Sequence, residues 1–259
     1  MASTQTGRQV LEAAPRTRVS FSLVLPTLNE AANIERMVRT MDRVLRTAGT
    51  PDFEIIVVDD NSPDGTGQIA DRLASEMPGR VRVVHRIGKA SLGTAAVAGW
   101  DTAESDILAL MDADFQHPPE LMPRLIQAIR DGADIAVGSR YAEGGAMSEE
   151  WSLARKLISG FGTVVVKLLL GSSLKRVRDP FSGCFAMRRN VIADKHLHPE
   201  GFKVLMEVLA VGDYSSVCEV PYEFSARTAG QSKLRLRVAI DDFLLLVRLA
   251  WQTRRKRAN

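Results

Sequence analysis

Two aspartates separated by one residue are the strongest chemical signal in this sequence. Asp112 and Asp114 follow an apolar run, Ile107 to Met111, which is typical of a buried strand. Carboxylates this close repel each other, and a hard divalent cation such as Mg2+ or Mn2+ relieves the repulsion because it prefers oxygen ligands and often also binds substrate phosphates. Gln116 can add a neutral oxygen. The pattern predicts a metal and phosphate site, and an acidic turn or helix cap before Pro118 is the simpler alternative.

A second acidic cluster follows the apolar run Phe53 to Val58. Residues 59–65 read DDNSPDG, which is more acid than a turn requires. The carboxylates of Asp59 and Asp60 can accept hydrogen bonds from a nucleoside base or ribose. Ser62 or Asp64 can instead cap the helix that follows.

Two cationic side chains fit the same site. Arg140 follows the fifth apolar run, and Lys233 lies in a polar segment rich in small residues. Arginine binds a phosphate through a bidentate fork, whereas lysine acts as a point charge. For either residue alone, a surface ion pair is the simpler interpretation.

The elements that position these residues alternate between strand and helix. Five apolar strands are predicted, at Val19–Leu25, Phe53–Val58, Val81–Val84, Ile107–Met111 and Ile135–Val137. Four amphipathic helices are predicted between them. This alternation predicts a mostly parallel sheet covered by helices on both faces. Ligands bind beyond the carboxyl ends of such strands, so the residues after the first, second and fourth strands are expected to form the site.

Beyond residue 140 the strand and helix alternation changes. A Gly-rich loop, a short strand and a flexible polar loop are predicted there, together with two long apolar helices and one short one. In chain order after the Gly-rich loop, the predicted segments are a helix near Glu150–Leu170, a strand at Cys184–Arg188, a helix near Phe202–Val211, a strand at Val217–Phe224, and a last helix near residues 235–252.

Composition excludes several classes of protein. A net charge of +3 is too weak for a general nucleic-acid binder. Two cysteines without a CxxC pair indicate neither a disulfide framework nor a zinc site, and they suit a reducing, cytoplasmic compartment. Residues 1–18 are polar and lack the apolar core of a secretory signal, so they are interpreted as a flexible extension. Neither a GxGxxG after the first strand nor a P-loop occurs, which disfavours a Rossmann oxidoreductase.

Two apolar runs near basic residues indicate contact with a membrane surface. The runs Phe161–Gly171 and Phe243–Trp251 are each interrupted by a basic residue, and both fall short of the about 20 apolar residues that a span needs. With the basic tail at residues 254–257, they are typical of amphipathic helices that lie along anionic lipid. Ordinary core helices are the alternative.

Taken together, these motifs resemble the inverting GT-A-fold glycosyltransferases of family 2, and among them the dolichyl-phosphate (polyprenyl-phosphate) mannosyltransferases. The resemblance extends from Phe21 to about Trp251. The matching motifs are PTLNEAANI (26–34), IIVVDDNSPDGT (55–66), GKASLGTA (88–95), LMDADFQHPPE (110–120), VGSRY (137–141), DPFSGCFAMRR (179–189), GFKVLMEVL (201–209) and RTAGQSK (227–233). It implies an α/β, Rossmann-like GT-A domain over residues 19–235, with a mostly parallel sheet flanked by helices, and a C-terminal amphipathic interface helix with a basic tail over residues 236–259.

The resemblance also implies roles for individual residues. The metal, Mg2+ or Mn2+, and the donor diphosphate would be held by Asp112, Asp114 and Gln116. The nucleotide-sugar pocket would be lined by Pro26, Asn29, Glu30, Asp59, Asp60, Asp112 and Ala113. The acceptor phosphate would be bound by Arg140, Arg155 and Ser159, while Arg227 and Lys233 close over the donor. The expected catalytic set is Asp114, Arg140 and Lys233, and His117 is interpreted as a supporting or capping group.

The implied activity is inverting transfer of mannose from GDP-mannose to a polyprenyl phosphate by a peripheral protein on the cytoplasmic face of a membrane. A UDP-sugar donor, as in a polyprenyl-phosphate glucosyltransferase, is the nearest alternative. A sugar hydroxyl acceptor would require a catalytic base, and none is evident beyond the carboxylates already assigned. A catalytically idle binding subunit of a membrane complex is the alternative from another class, and the intact Asp112, Asp114, Arg140 and Lys233 argue against it. A small membrane-anchoring subunit and a homo-oligomer are both left open.

Overall fold

The computed structural model describes residues 20–50, 52–88, 91–147, 177–197 and 203–224. The predicted extension at 1–18, the helices near 150–170 and 235–252, the RTAGQSK loop and the basic tail lie outside these residues. Among the described residues, none of the helices is long and apolar enough to cross a membrane.

A seven-stranded sheet forms the centre of the fold. Its strands, in chain order, are β1 Phe21–Thr27, β2 Phe53–Asp59, β3 Val81–His85, β4 Ile107–Met111, β5 Ile135–Ser139, β7 Cys184–Arg188 and β8 Val217–Pro221. Their order across the sheet is β3-β2-β1-β4-β7-β5-β8. Strand β7 is antiparallel to both of its neighbours, and the other pairings in this sheet are parallel. The expected mostly parallel α/β sheet is therefore confirmed.

Five helices within the described residues cover the two faces of the sheet. They are α1 Ile34–Thr47, α2 Thr66–Glu76, α3 Leu92–Thr102, α4 Leu121–Arg130 and α5 Val204–Val211. Helices α1, α2 and α4 pack on one face, and α3 and α5 pack on the other. Burial on both faces explains why the strands are almost continuously apolar, with all seven residues of β2 buried.

Periodicity and close packing explain the helices on each face. Helix α1 buries Ile34, Met37, Val38, Met41 and Leu45 on one side, which is the spacing of an amphipathic helix. Helix α3 instead approaches the sheet through small residues, because a Cβ at Gly99 would lie 2.6 Å from Val24 Cγ1.

Two strand boundaries differ from the predicted ones. Strand β1 continues through Pro26 to Thr27, although the sequence predicts its end before the proline. Strand β1 pairs with β4 only as far as Val24, so the missing N–H group of Pro26 removes no hydrogen bond to β4. Asp59 is the last residue of β2, opposite Thr27, and does not belong to the following loop as predicted.

The predicted strand Val217–Phe224 is also wrong in one respect, because it is divided. Strand β8 ends at Pro221, and after Tyr222 the short strand β9, Glu223–Phe224, pairs with β6, Ala146–Met147. Strand β6 lies in the segment predicted as a Gly-rich loop. This two-stranded sheet pairs residues 146–147, which follow Arg140, with residues 223–224.

Candidate active site

The loops after β1, β2 and β4 meet at one edge of the sheet. Strand β1 pairs in parallel with both β2 and β4, so the chain reverses its direction across the sheet between β1 and β4. Each loop contains a non-glycine residue with left-handed φ, namely Asn29 at 55°, Asn61 at 54° and Phe115 at 60°. Such residues cost about 1 kcal/mol or more each and concentrate at functional sites. The edge is therefore the place in the fold where a ligand site is expected.

The first two loops are joined by three hydrogen bonds. The backbone N–H of Asn29 donates to Ser62 Oγ at 2.9 Å, and that of Glu30 donates to Thr66 Oγ1 at 2.9 Å. The N–H of Ala31 donates to Asp64 Oδ2 at 3.0 Å. The segment DNSPDGT thus fixes the backbone of two residues predicted to line the nucleotide pocket. The sequence indicates only helix caps for Ser62 and Asp64, because their bridging role depends on contacts between two loops that are distant in the chain.

The two aspartates at the end of β2 already have protein partners. Asp59 is buried and accepts hydrogen bonds from Ser62, from Oγ at 2.5 Å and from N at 3.1 Å. Asp60 pairs with Arg86 and accepts from the N–H of Ser91 at 2.9 Å. Burial raises the pKa of Asp60, and the positive charge of Arg86 opposes that rise. Their predicted contacts with a nucleoside stay predictions, and Arg86 is a partner that the sequence did not reveal.

The predicted metal loop, residues 112–117, begins directly after β4. Asp114 is 4% exposed and accepts a hydrogen bond from the backbone N–H of Gln116 at 3.1 Å. The guanidinium of Arg36 lies 4.3 Å from the ring centre of Phe115 and helps to hold the left-handed turn. A Cβ at position 183 would lie 2.3 Å from Asp112 Oδ2, so only glycine leaves room for that carboxylate.

The donor set of this loop fits a divalent cation that also binds substrate. The described residues contain no group of three or more His, Cys, Asp or Glu side chains arranged to hold a metal. Two carboxylates, from Asp112 and Asp114, with the amide of Gln116 on the same loop, match a cation that takes its remaining ligands from phosphate and water.

Arg140, at the carboxyl end of β5, forms a bidentate ion pair with Asp179. Its Nε and Nη2 donate to the two carboxylate oxygens of Asp179, each at 2.7 Å. Burial disfavours the charge of Arg140, but the bonds to Asp179 outweigh that effect and raise its pKa. The DPFSG motif contains Asp179, yet the sequence alone did not single out this residue.

An aromatic cluster connects the metal loop to β8 and β9. The ring centre of His117 lies 5.3 Å from that of Tyr222 and 5.4 Å from that of Phe224. Burial and the nearby charge of Arg140 lower the pKa of His117 to about 3, so this imidazole is neutral. Within the described part of the chain, neither His117 Nδ1 nor the Tyr222 hydroxyl has a hydrogen-bond partner. His117 is therefore a buried, neutral imidazole beside the aromatic cluster, and its supporting or capping role stays a prediction.

Arg155, Ser159, Arg227 and Lys233 lie outside the described residues. The fold brings together the loops after β1, β2 and β4. Arg140 follows β5, which β7 separates from β4 in the sheet. Its charge is nevertheless close enough to His117 to lower the pKa of that imidazole.

Comparison with known proteins identifies the family. The model of the glycosyl transferase family 2 domain matches residues 22–197. The chain belongs to this family. It is therefore a glycosyltransferase with the fold expected from its motifs.

Two relatives and one solved structure show how far the similarity extends. A dolichol-phosphate mannosyltransferase from Pyrococcus furiosus is 43% identical over 84% of this chain, and the chain spans 60% of that enzyme's length. A polyprenol monophosphomannose synthase from Mycolicibacterium smegmatis is 37% identical, with 82% of this chain and 80% of the relative covered. A glucosyl-3-phosphoglycerate synthase from Mycobacterium tuberculosis, solved with Mn2+ and UDP, has a similar fold. Its TM-score is 0.63 at 20% identity, over 91% of this chain and 78% of the other.

Proposed function

We propose that this family 2 transferase moves mannose from GDP-mannose to a polyprenyl phosphate at the cytoplasmic face of a membrane. The observation that carries the proposal is the Asp112 and Asp114 pair at the carboxyl end of β4, with Gly183 leaving room for the first carboxylate. The names of the archaeal and mycobacterial relatives support mannose as the sugar and a polyprenyl phosphate as the acceptor.

The proposed metal ligands are Asp112, Asp114 and Gln116, and the ion is Mg2+ or Mn2+. Magnesium is commonly bound through one or two carboxylates plus substrate phosphates, which is the donor set of this loop. The Mn2+ in the similar glucosyl-3-phosphoglycerate synthase supports a divalent ion. When bound, the cation neutralises charge that develops on the departing diphosphate.

The acceptor brings its own nucleophile to the proposed reaction. A phosphate monoester has a second pKa of about 6, so it is largely a dianion at neutral pH. One phosphate oxygen bonds to the anomeric carbon of mannose from the face opposite GDP. The bond from that carbon to the diphosphate breaks, and its electron pair leaves with GDP, which inverts the configuration. No proton moves in this step, so the site needs no general base.

Cations that orient the two phosphate groups then carry much of the catalysis, because they stabilise the charge that shifts during transfer. Arg140 is the proposed ligand of the acceptor phosphate, together with Arg155 and Ser159. Arg227 and Lys233 are proposed to close over the donor. The assignments of Arg155, Ser159, Arg227 and Lys233 rest on the resemblance of the sequence to the family.

The apolar chain of the acceptor requires the protein to come to the bilayer. Each CH2 group that leaves lipid for water costs about 0.8 kcal/mol, so a polyprenyl chain stays in the membrane. The sequence segments near 150–170 and 235–257, with their interspersed lysines and arginines, are the proposed docking surface.

The decisive assay follows mannose from radiolabelled GDP-mannose into an organic-extractable polyprenyl phosphate product, with Mn2+ present. We expect Asp114→Asn to lower kcat/KM by about 100-fold or more, because the cation that offsets the charge on the leaving group would lose an anionic ligand. Chelation by EDTA should stop transfer, and added Mn2+ should restore it. Asp101→Asn, which removes an exposed carboxylate on α3, is the matched control and should keep full activity.

Undiminished transfer by Asp114→Asn, or in the presence of EDTA, would reject the metal assignment. Turnover of UDP-glucose without turnover of GDP-mannose would reject the proposed donor and move the chain to the alternative donor class. Binding of GDP and Mn2+ without transfer of any sugar would instead favour the idle subunit.

A further inference from the structure

The Arg140 side chain is held in a single orientation by Asp179. In addition to the two side-chain bonds, the backbone N–H of Arg140 donates to Asp179 Oδ2 at 3.0 Å. Only 9% of the Arg140 side chain and none of the Asp179 side chain is exposed. Removing one partner of such a buried pair leaves an uncompensated charge, so separation of Arg140 from Asp179 is strongly unfavourable.

Asp179 is itself anchored to the neighbouring strand. Its backbone N–H donates to Glu219 Oε1 at 3.1 Å, and the N–H of Arg178 donates to the same oxygen at 3.0 Å. Glu219 belongs to β8, which pairs with β5 in register with Val137. The backbone of Asp179 is thus attached to β8 by the Glu219 side chain, which fixes the position of the carboxylate that binds Arg140.

The ion pair with Asp179 occupies one edge of the Arg140 guanidinium, and the N–H donors of the other edge take no part in it. Arginine has five N–H donors in a planar fork, and the bidentate contact occupies Nε and one hydrogen of Nη2. The donors that remain lie on the edge directed away from Asp179. The guanidinium carbon also lies 5.3 Å from the ring centre of Phe224 and 5.5 Å from that of Tyr141. Arg140 therefore presents a fixed set of donors that matches a phosphate.

We infer that Asp179 is a positioning residue, which orients Arg140 so that the free edge of its guanidinium binds the phosphate of the lipid acceptor. The inference rests on the proposed function and adds to it the residue that sets the acceptor subsite. Both oxygens of Asp179 accept hydrogen bonds from Arg140, so Asp179 acts through Arg140 and is not the base of the reaction.

The test separates the KM of each substrate in Asp179→Asn. The amide keeps the size of the carboxylate but places an NH2 group against an N–H donor of Arg140, so the fork loses its orientation. We expect the KM for polyprenyl phosphate to rise by about 10-fold or more, as when one partner of a buried charged pair is lost. The KM for GDP-mannose should stay within about twofold, since the contact lies on the acceptor side. Asp134→Asn, which alters a carboxylate at the opposite end of β5, is the control and should change neither KM.

A double-mutant cycle distinguishes positioning from a general structural role. If Asp179 acts through Arg140, Asp179→Asn adds little to the acceptor KM in an Arg140→Ala background. Additive effects, or a loss of kcat with an unchanged acceptor KM, would overturn the inference. Binding of farnesyl phosphate, followed by calorimetry, provides a readout without turnover. A wild-type chain that transfers no mannose but loses farnesyl phosphate affinity on Asp179→Asn would reject the proposed function and retain the role of Asp179.

Discussion

At the scale of single residues, the geometry of the candidate site depends on residues that position other side chains. Gly183 makes room for the Asp112 carboxylate, and Asp179 holds Arg140. Neither effect is local in the sequence, because both partners of each pair belong to different strands or loops. The sequence therefore offers Asp112 and Arg140 as candidates from their types and positions, but it gives no sign of the residues that contact them.

The contact between Gly183 and Asp112 yields a prediction about metal affinity. Gly183 does not have a left-handed φ, so alanine suits its backbone, and the added methyl group meets only the Asp112 carboxylate at short range. We expect Gly183→Ala to weaken Mn2+ binding by about 10- to 100-fold, which is typical when a group that orients a metal ligand is changed. Titration of Mn2+ followed by electron paramagnetic resonance, with GDP present, measures the change.

The control for this prediction is Ser182→Ala, in the same turn. The Ser182 hydroxyl bonds to Cys184 and not to Asp112, so its loss should leave Mn2+ affinity unaltered. Wild-type affinity in Gly183→Ala, with circular dichroism unchanged, would contradict a role for Gly183 in shaping the metal loop.

At the scale of elements, the regular strands and helices followed from the sequence and the short ones did not. Apolar runs and helical spacing located β1 to β5 and α1 to α4, because burial on one or both faces dictates those patterns. Strands β6 and β9 have two residues each, which is too short for any periodicity. Their pairing depends on contacts between distant segments, and so does the insertion of β7 between β4 and β5.

The amino end of β5 provides a prediction about acid stability. Asp134 accepts hydrogen bonds from the backbone N–H groups of Ser215 and Ser216, at 2.8 and 3.0 Å, and from their hydroxyl groups. These bonds, chiefly that from the Ser215 N–H, lower the pKa of Asp134. A carboxyl with a lowered folded-state pKa stabilises the protein above its unfolded pKa of about 3.9, and this contribution disappears as the pH falls through the folded value.

We therefore expect Asp134→Asn to reduce the free energy of unfolding at neutral pH and to matter progressively less below about pH 4. Urea unfolding of both proteins at a series of pH values measures the difference. Asp131→Asn, in the same turn but exposed, should stay within about 0.5 kcal/mol of wild type. A difference between wild type and Asp134→Asn that is constant from pH 2 to about pH 7 would refute the linkage.

At the scale of the whole molecule, one buried thiol reports on the integrity of the sheet. Cys184, the first residue of β7, is fully buried, whereas Cys218 on β8 is partly exposed. Burial, with a smaller effect of the Asp112 charge, raises the pKa of the Cys184 thiol, which further reduces its reactivity because the thiolate is the nucleophile.

In a Cys218→Ser variant, we expect a thiol reagent to modify Cys184 only when the sheet opens. Ligands that bind the folded state should slow this reaction, by about 100-fold when GDP with Mn2+ is present at 100 times its Kd. The rate is followed by absorbance of the released reagent anion. Equal native-state rates for Cys184 and for Cys218 in wild type would disprove the protected position of β7.

The insertion of β7 between β4 and β5 has a consequence for biosynthesis. A ribosome releases β1 to β5 before residues 184–188, so β4 has one unpaired edge and β5 has none of its final neighbours in the nascent chain. Exposed edges attract other strands, and pairing between distant segments is slow. The addition of β7 joins the two parts of the sheet and brings Gly183 against Asp112 in the same event. We therefore expect the loop that contains Asp112 to reach its final shape only after β7 has joined the sheet.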